Sequence, residues 1–290
     1  MTHYFLLKTV VKSSIYTKRT LIKSPVEKVF AWHAQKGAIS RLTPPWAPLE
    51  MVGRSGTGID KGVKVAFRIK LFGISLPWEA EHIGYEKNRY FTDQQTRGPF
   101  ARWVHTHRFI PQGPDQTLME DEIEFRLPLG VLGWPFYGFA RRELERMFAY
   151  RHMVLKNDLE HHVKNALGKR ILISGASGTI GSTLVPFLRT CGHEVMRLVR
   201  KKEPLANDEI FWDPHKGILD LEPTGRFDAV INLNGVDISR GRWTRDQKKR
   251  IVDSRVLSTK LLALKIKDLH PRPEVFISSS AIGFYGDTGD

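Results

Sequence analysis

Cysteine is almost missing: the 290 residues hold one, Cys191. A single thiol excludes an intrachain disulfide and a cysteine-built zinc site, and it points to a reducing cytoplasm. Long apolar runs are missing as well. No stretch approaches the roughly 20 uncharged apolar residues of a membrane span. The most apolar stretch, 127–140, is broken by Pro128, Gly130, Gly133 and Pro135. The Tyr4-Phe5-Leu6-Leu7 run has no basic segment before it and no small-residue cleavage site after it, so it makes a poor secretion signal. Internal repeats and low-complexity segments are lacking too, which excludes a solenoid or a disordered tail.

What is present is an ordinary globular mixture with a basic excess. Hydrophobic residues make up 41% and charged residues 26%. At about 150 residues per domain, the length predicts two domains. There are 45 Lys and Arg against 31 Asp and Glu, a net charge of +14 spread over both halves. Such an excess fits a generally basic surface or an anionic partner. The Lys248-Lys249-Arg250 cluster raises nucleic-acid binding as a reading, but no nucleic-acid motif accompanies it.

The texture changes near Gly168, which sets domains at 1–167 and 168–290. Alternating strands are predicted at about 14–23, 64–71, 76–85, 90–95, 102–110 and 117–127, an antiparallel sheet of about six. Ser24-Pro25-Val26-Glu27 reads as an N-cap, Pro at N1 and Glu at N3 of an early helix. A Pro/Gly-rich loop covers 43–62. Ala140, Leu144, Met147, Phe148, Leu155, Leu159 and Val163 carry a helical period, so a long helix spans 136–167, capped by Gly168. The first domain is therefore α+β, a curved sheet gripping a helix around an apolar cavity for a small molecule.

Alternation puts His105 and His107 on one face of a strand, with Trp103 and Phe109. On the next strand Asp121 lies with Ile123 and Phe125, opposite Glu120, Glu122 and Glu124. The His-x-His pair is compatible with hydrogen-bonded sheet histidines, an acid/base pair or a metal site. The first is favoured and no metal is assigned. His161 and His162 read as surface residues near a helix end.

After Gly168 short apolar strands alternate with helices, which predicts a parallel α/β sheet. Residues 169–174 form a strand, Gly175-Ala176-Ser177-Gly178-Thr179-Ile180-Gly181 follows, and a helix begins at Ser182. Glycines between a strand and a helix let the backbone turn tightly and approach a pyrophosphate at the helix N-terminus. This is a dinucleotide-binding signature of the Rossmann type. Arg200 stands near the position where an NAD site places an acid for the ribose 2′-hydroxyl. A guanidinium there suits a 2′-phosphate, which favours NADP(H) over NAD(H). The alternative is a solvated basic turn. Further strands are predicted at 209–213, 228–233 and 275–280, with Asp213 beside the adenine and a basic helix from Asp246.

Residues 14–167 resemble the helix-grip fold of the START-like, polyketide-cyclase-like (SRPBCC) superfamily, through element order and the Gly98-Pro99-Phe100-x-x-Trp103-x-His105-x-His107 run. The remainder resembles the extended short-chain dehydrogenase/reductases, and within them the epimerase-like family. The matching runs are 175–181, 228–235, Arg242-Trp243-Thr244, Ile251-x-x-Ser254-Arg255 and 278–287. The resemblance implies that Gly175, Gly178 and Gly181 cradle a pyrophosphate, with Ser177, Thr179 and Ile180 offering further contacts. It implies that Leu233, Asn234 and Gly235 pass beneath the adenine and ribose. It also implies that Ser280 is the catalytic serine, hydrogen-bonded to the reacting oxygen. The family's Tyr-x-x-x-Lys pair is not present: Tyr285 has no lysine four residues on, and Arg255 replaces an asparagine. The second domain therefore reads as the N-terminal part of an incomplete Rossmann-like domain. Two functions follow: an NADP(H)-dependent epimerase or oxidoreductase with a fused small-molecule domain, or a non-catalytic dinucleotide sensor.

Overall fold

The structure is a computed structural model, and it describes residues 13–47, 49–71, 73–128, 133, 135–162, 168–202, 204–239 and 241–280. The Tyr4–Leu7 run, the expected helical stretch 163–167 and Tyr285 lie outside them. The chain divides into two compact units, Met1–Lys164 and Asn165–Asp290.

The first unit opens with strand β1 (Ser14–Ile22), followed by helices α1 (Val26–Ala34) and α2 (Ala38–Leu42). Six strands come next: β2 (Leu49–Arg54), β3 (Lys64–Leu71), β4 (Ile74–Glu86), β5 (Tyr90–Arg97), β6 (Arg102–Pro111) and β7 (Thr117–Arg126). Helix α3 (Tyr137–Asn157) runs on into a π-helical turn, Asp158–His162. The strands form one antiparallel sheet in the order β1-β7-β6-β5-β4-β3-β2.

Three local expectations need correction. The sheet has seven strands, not about six, because β2 lies inside the expected loop 43–62. It is an edge strand with a bulge between Met51 and Gly53, and most of its side chains are exposed, so it carries no inward alternation to read. The early helix is preceded by Pro25 rather than capped by Ser24, and no side chain caps it. Ser24 is buried instead, and its carbonyl accepts a hydrogen bond from the Thr117 hydroxyl at 2.8 Å.

Alternation decides the inner face of the sheet. Trp103 and Phe109 of β6 and Met119, Ile123 and Phe125 of β7 point inward and are almost fully buried. Leu144, Phe148 and Leu155 of α3 pack on that face. Midway along it, His105, His107 and Asp121 take the places of apolar residues and are buried too.

The second unit contains β8 (Arg170–Ser174), α4 (Gly181–Thr190), β9 (Glu194–Val199), β10 (Glu209–Asp213), β11 (Ile218–Leu219), β12 (Ala229–Asn232), α5 (Arg245–Lys267) and β13 (Val275–Ser278). The sheet order is β11-β10-β9-β8-β12-β13, parallel except for the short β11. Ile171 and Ile173 of β8 pack in one cluster with Val185 of α4, while Leu172 joins Leu261 and Leu262 of α5 in another. A strand covered on both faces needs an unbroken apolar run, and Ile171-Leu172-Ile173 supplies it. The chain leaves β8 toward β9 on one side and later returns to place β12 on the other. That reversal opens a crevice at the carboxyl ends of β8 and β12.

Candidate functional site

The glycine loop leaves β8 at this crevice. Gly175 has φ +72°, and a Cβ there would lie 2.6 Å from the Leu233 carbonyl oxygen. A Cβ on Gly181 would strike the Gly175 carbonyl and the Ala176 backbone. The Gly178 amide donates to the Gly175 carbonyl at 3.0 Å, closing the turn. Ser177, Thr179 and Ile180 sit exposed on its outer side. The amides of Thr179, Ile180 and Gly181 find no backbone acceptor among the described residues, which leaves them open to an outside acceptor at the start of α4.

A second set of bonds fixes the opposite wall. Asn232, at the end of β12, accepts from the Ser174 hydroxyl at 2.6 Å and donates to Thr259 at 2.9 Å and Ser278 at 3.1 Å. The Asn234 side chain donates to the Ser254 carbonyl at 3.1 Å, and the Val236 amide donates to the Ser254 hydroxyl at 3.0 Å. Arg255 packs against Gly235, where a Cβ would lie 3.1 Å from the guanidinium carbon. Leu233, Asn234 and Gly235 thus run in a held strip beside the glycine loop.

Two overlapping hollows of about 500 and 260 Å³ lie along this strip, both lined by Arg200, Asn234, Val236, Arg250 and Ser254. Among the described residues, neither Arg200 nor Arg250 has a carboxylate partner, whereas Lys201 is bound to Glu209 at 2.7 Å. Asp213 turns back into its own turn, accepting from the His215 and Lys216 amides at 3.1 and 3.3 Å. Its neighbours Pro214 and His215 line the smaller hollow instead. Ser280 is exposed two residues beyond β13 and lines neither hollow.

The first unit holds a separate cavity of about 130 Å³, mostly apolar in its lining, into which Asp93, His105, His107 and Arg151 project. Behind it, Asp121 Oδ1 lies 3.0 Å from His105 Nε2 and 2.6 Å from His107 Nδ1. Asp121 Oδ2 lies 2.7 Å from His152 Nε2, whose Nδ1 meets the Thr20 hydroxyl at 2.8 Å. Burial alone would lower the His105 imidazole, but Asp93 and Asp121 outweigh it and lift it to about 9. Burial alone would raise both carboxyls, but the histidines hold Asp93 and Asp121 well below the ordinary carboxylate range.

Residues 171–290 match the NAD dependent epimerase/dehydratase family, and residues 22–149 match the polyketide cyclase / dehydrase and lipid transport family. The second unit is an epimerase-family domain. The first is a polyketide-cyclase-like, START-like domain. An epimerase family protein of Mycobacterium leprae is 38% identical over 120 residues, which cover 41% of this chain and 38% of that protein. The human epimerase family protein SDR39U1 is 32% identical over 120 residues, 40% of this chain and 38% of its own. The chain thus spans less than two fifths of these relatives' length. The crystal structure of a nucleoside-diphosphate sugar epimerase from Corynebacterium glutamicum matches at 31% identity with a TM-score of 0.74, over 93% of this chain and 55% of that one. No helix among the described residues is long and apolar enough to cross a membrane.

In the epimerase-family domain the Gly175 backbone closely approaches Leu233 and Asn234, and Arg200 lines both hollows beside Asn234, the larger of which Gly235 also lines. Sequence reasoning read Arg250 only within the Lys248-Lys249-Arg250 cluster that raised nucleic-acid binding, and it did not single out Asn232. In the START-like domain it missed Asp93 and His152. For His152 a signal existed: it lies four residues after Phe148 on the buried face of α3.

One pH effect follows in the START-like domain. His33 is buried beside Phe109 and His107, and burial, with His107 second, pushes it down to about 3. Its ring also lies within the field of Asp121 and His152. A free histidine titrates near 6.5, so below that pH the unfolded chain binds more protons. Metal-free protein should lose about 2 kcal/mol from this residue between pH 7 and pH 5. The raised His105 works the other way: its contribution is complete only below pH 6.5 and is lost as the pH climbs toward 9, so between pH 7 and pH 5 it offsets part of the His33 loss. Urea midpoints at pH 7 and 5 test this, and His33→Asn should flatten the slope.

Proposed function

We propose that the chain is an NADP(H)-binding epimerase or oxidoreductase-like protein, with a small-molecule-binding domain at 1–167 and the dinucleotide-binding domain at 168–290. The observation that carries this reading is the pair of arginines, Arg200 and Arg250, lining the hollow beside Asn234 without carboxylate partners among the described residues. The crevice fits the cofactor: the loop has no room for side chains at Gly175 and Gly181, and its open amides suit a pyrophosphate. Gly175, Gly178 and Gly181, with Ser177, Thr179 and Ile180, would hold the pyrophosphate. Leu233, Asn234 and Gly235 would support the adenine and its ribose, and the two guanidiniums would grip the 2′-phosphate. When bound, the nicotinamide supplies or accepts hydride at a carbon bearing oxygen. Ser280 is the residue proposed to hydrogen-bond that oxygen. The apolar cavity of the START-like domain supports a hydrophobic small molecule as its ligand.

Calorimetric titration with NADPH and NADH tests the assignment. Each charge-assisted contact is worth about 1.5–3 kcal/mol, so Arg200→Ala and Arg250→Ala should each weaken NADPH about 10-fold or more. NADH affinity should change by less than about threefold. An unchanged NADPH/NADH ratio in both variants would refute the 2′-phosphate role.

A further inference from the structure

We propose that Asp93, His105 and His107 form a binding site for a divalent transition-metal ion of the zinc class, open toward the cavity of the START-like domain. The argument starts from Asp121. Its Oδ1 is hydrogen-bonded to His105 Nε2 at 3.0 Å and lies 2.6 Å from His107 Nδ1, outside hydrogen-bond geometry. That bond places a hydrogen on His105 Nε2. Once a metal ion has displaced any proton on the other side, His105 Nδ1 and His107 Nε2 offer lone pairs there. Both face the same Asp93 oxygen, at 3.4 and 3.7 Å.

A divalent cation set between these three groups would displace the proton that otherwise lies between an imidazole and the Asp93 carboxylate. The separations suit one. Metal–ligand bonds of about 2.1 Å at tetrahedral angles put neighbouring ligand atoms about 3.4 Å apart. The three ligand atoms all lie within 4.8 Å of one another. The half-buried Asp93 carboxylate and the buried Asp121 carboxylate also match the charge of one divalent ion. Asp121 does what outer carboxylates do at such centres: it orients the ligand His105 through its second nitrogen. Its own second oxygen is held by His152. Two nitrogens and one carboxylate leave a coordination position free. That position faces the cavity, so an oxygen of the cavity ligand is its natural occupant.

The test uses the full chain without a histidine tag, stripped with a chelator and loaded with Zn2+ alone. The expected result is one equivalent retained after desalting. Co2+ in its place should give the visible absorption of a low-coordinate nitrogen-ligated ion. Asp93→Asn and His107→Asn should each weaken retention at least tenfold, while His270→Asn, on the surface of the other unit, should not. Less than about 0.1 equivalent retained by the unaltered chain, or retention unaffected by Asp93→Asn and His107→Asn, overturns the site. The Co2+ spectrum of the unaltered chain keeps the question decidable if a variant fails to fold.

Discussion

Gly181→Ala should abolish dinucleotide binding and destabilise the epimerase-family domain by about 3 kcal/mol. The new methyl would meet the Gly175 carbonyl and the Ala176 backbone, not the end of a flexible side chain. Backbone cannot step aside without moving the end of β8 or the first turn of α4. Overpacking of this kind costs about 1–3 kcal/mol, and the upper end applies where neither wall can yield. The open amides at the start of α4 would also be displaced, and with them the pyrophosphate site. Gly178→Ala is the internal control. Its Cβ would stand 3.3 Å from the Gly175 oxygen, and its φ is not in the left-handed region, so a small adjustment accommodates it. Its cost should stay below about 1 kcal/mol. Urea denaturation and NADPH calorimetry on both variants check the ranking. Gly181→Ala binding within threefold of the unaltered chain would show that the loop is not the cradle.

Asp121→Ala should cost the START-like domain about 4 kcal/mol. Asp121 is buried against three imidazoles, so its loss removes one of the two carboxylates that balance His105 and leaves His152 Nε2 without its partner. Breaking a buried ion pair from one side costs about 3–5 kcal/mol, because the remaining partner stays desolvated. Asp121→Asn keeps an acceptor oxygen but removes the charge, and should cost about half as much. In both variants the His105 titration should move down from about 9, since one of the two carboxylates that raise it is gone. Histidine NMR of metal-free protein follows that movement, and urea midpoints give the stability. A loss below 1 kcal/mol in Asp121→Ala would mean the cluster is solvated rather than buried.

The parts of the molecule most legible in the sequence are those where local pattern and tertiary role coincide. Ile171-Leu172-Ile173 reads as a doubly covered strand because every position is apolar, and the glycines that follow have no other use at that spacing. Trp103, His105, His107 and Phe109 were correctly put on one face by alternation alone. Pairing between distant segments was not legible. Nothing local tells that Asp93 on β5 stands across from His105 on β6, or that His152 on α3 reaches Asp121. Arg250 was read as one of a run of basic residues, because a helix face is decided by what it packs against. The strand β2 was lost for the opposite reason: it is exposed at an edge and carries no inward pattern.

The sheet order of the START-like domain sets a timetable. Strands β2 to β7 each pair with their immediate neighbour in sequence, so most of the sheet closes through short loops. The exception is β1, whose partner β7 is encoded nearly a hundred residues later. At about 5–20 residues per second, a ribosome makes β1 and then leaves it alone for roughly 5–20 s. During that interval it is an unpaired edge, the kind that neighbouring chains can capture. Lys18 and Arg19, which end opposite Glu145 and Glu120, place two like charges on the waiting strand. Their value to the finished fold is small, as surface ion pairs go. They also stand on a strand that stays at the edge of the finished sheet, where like charge discourages the same capture.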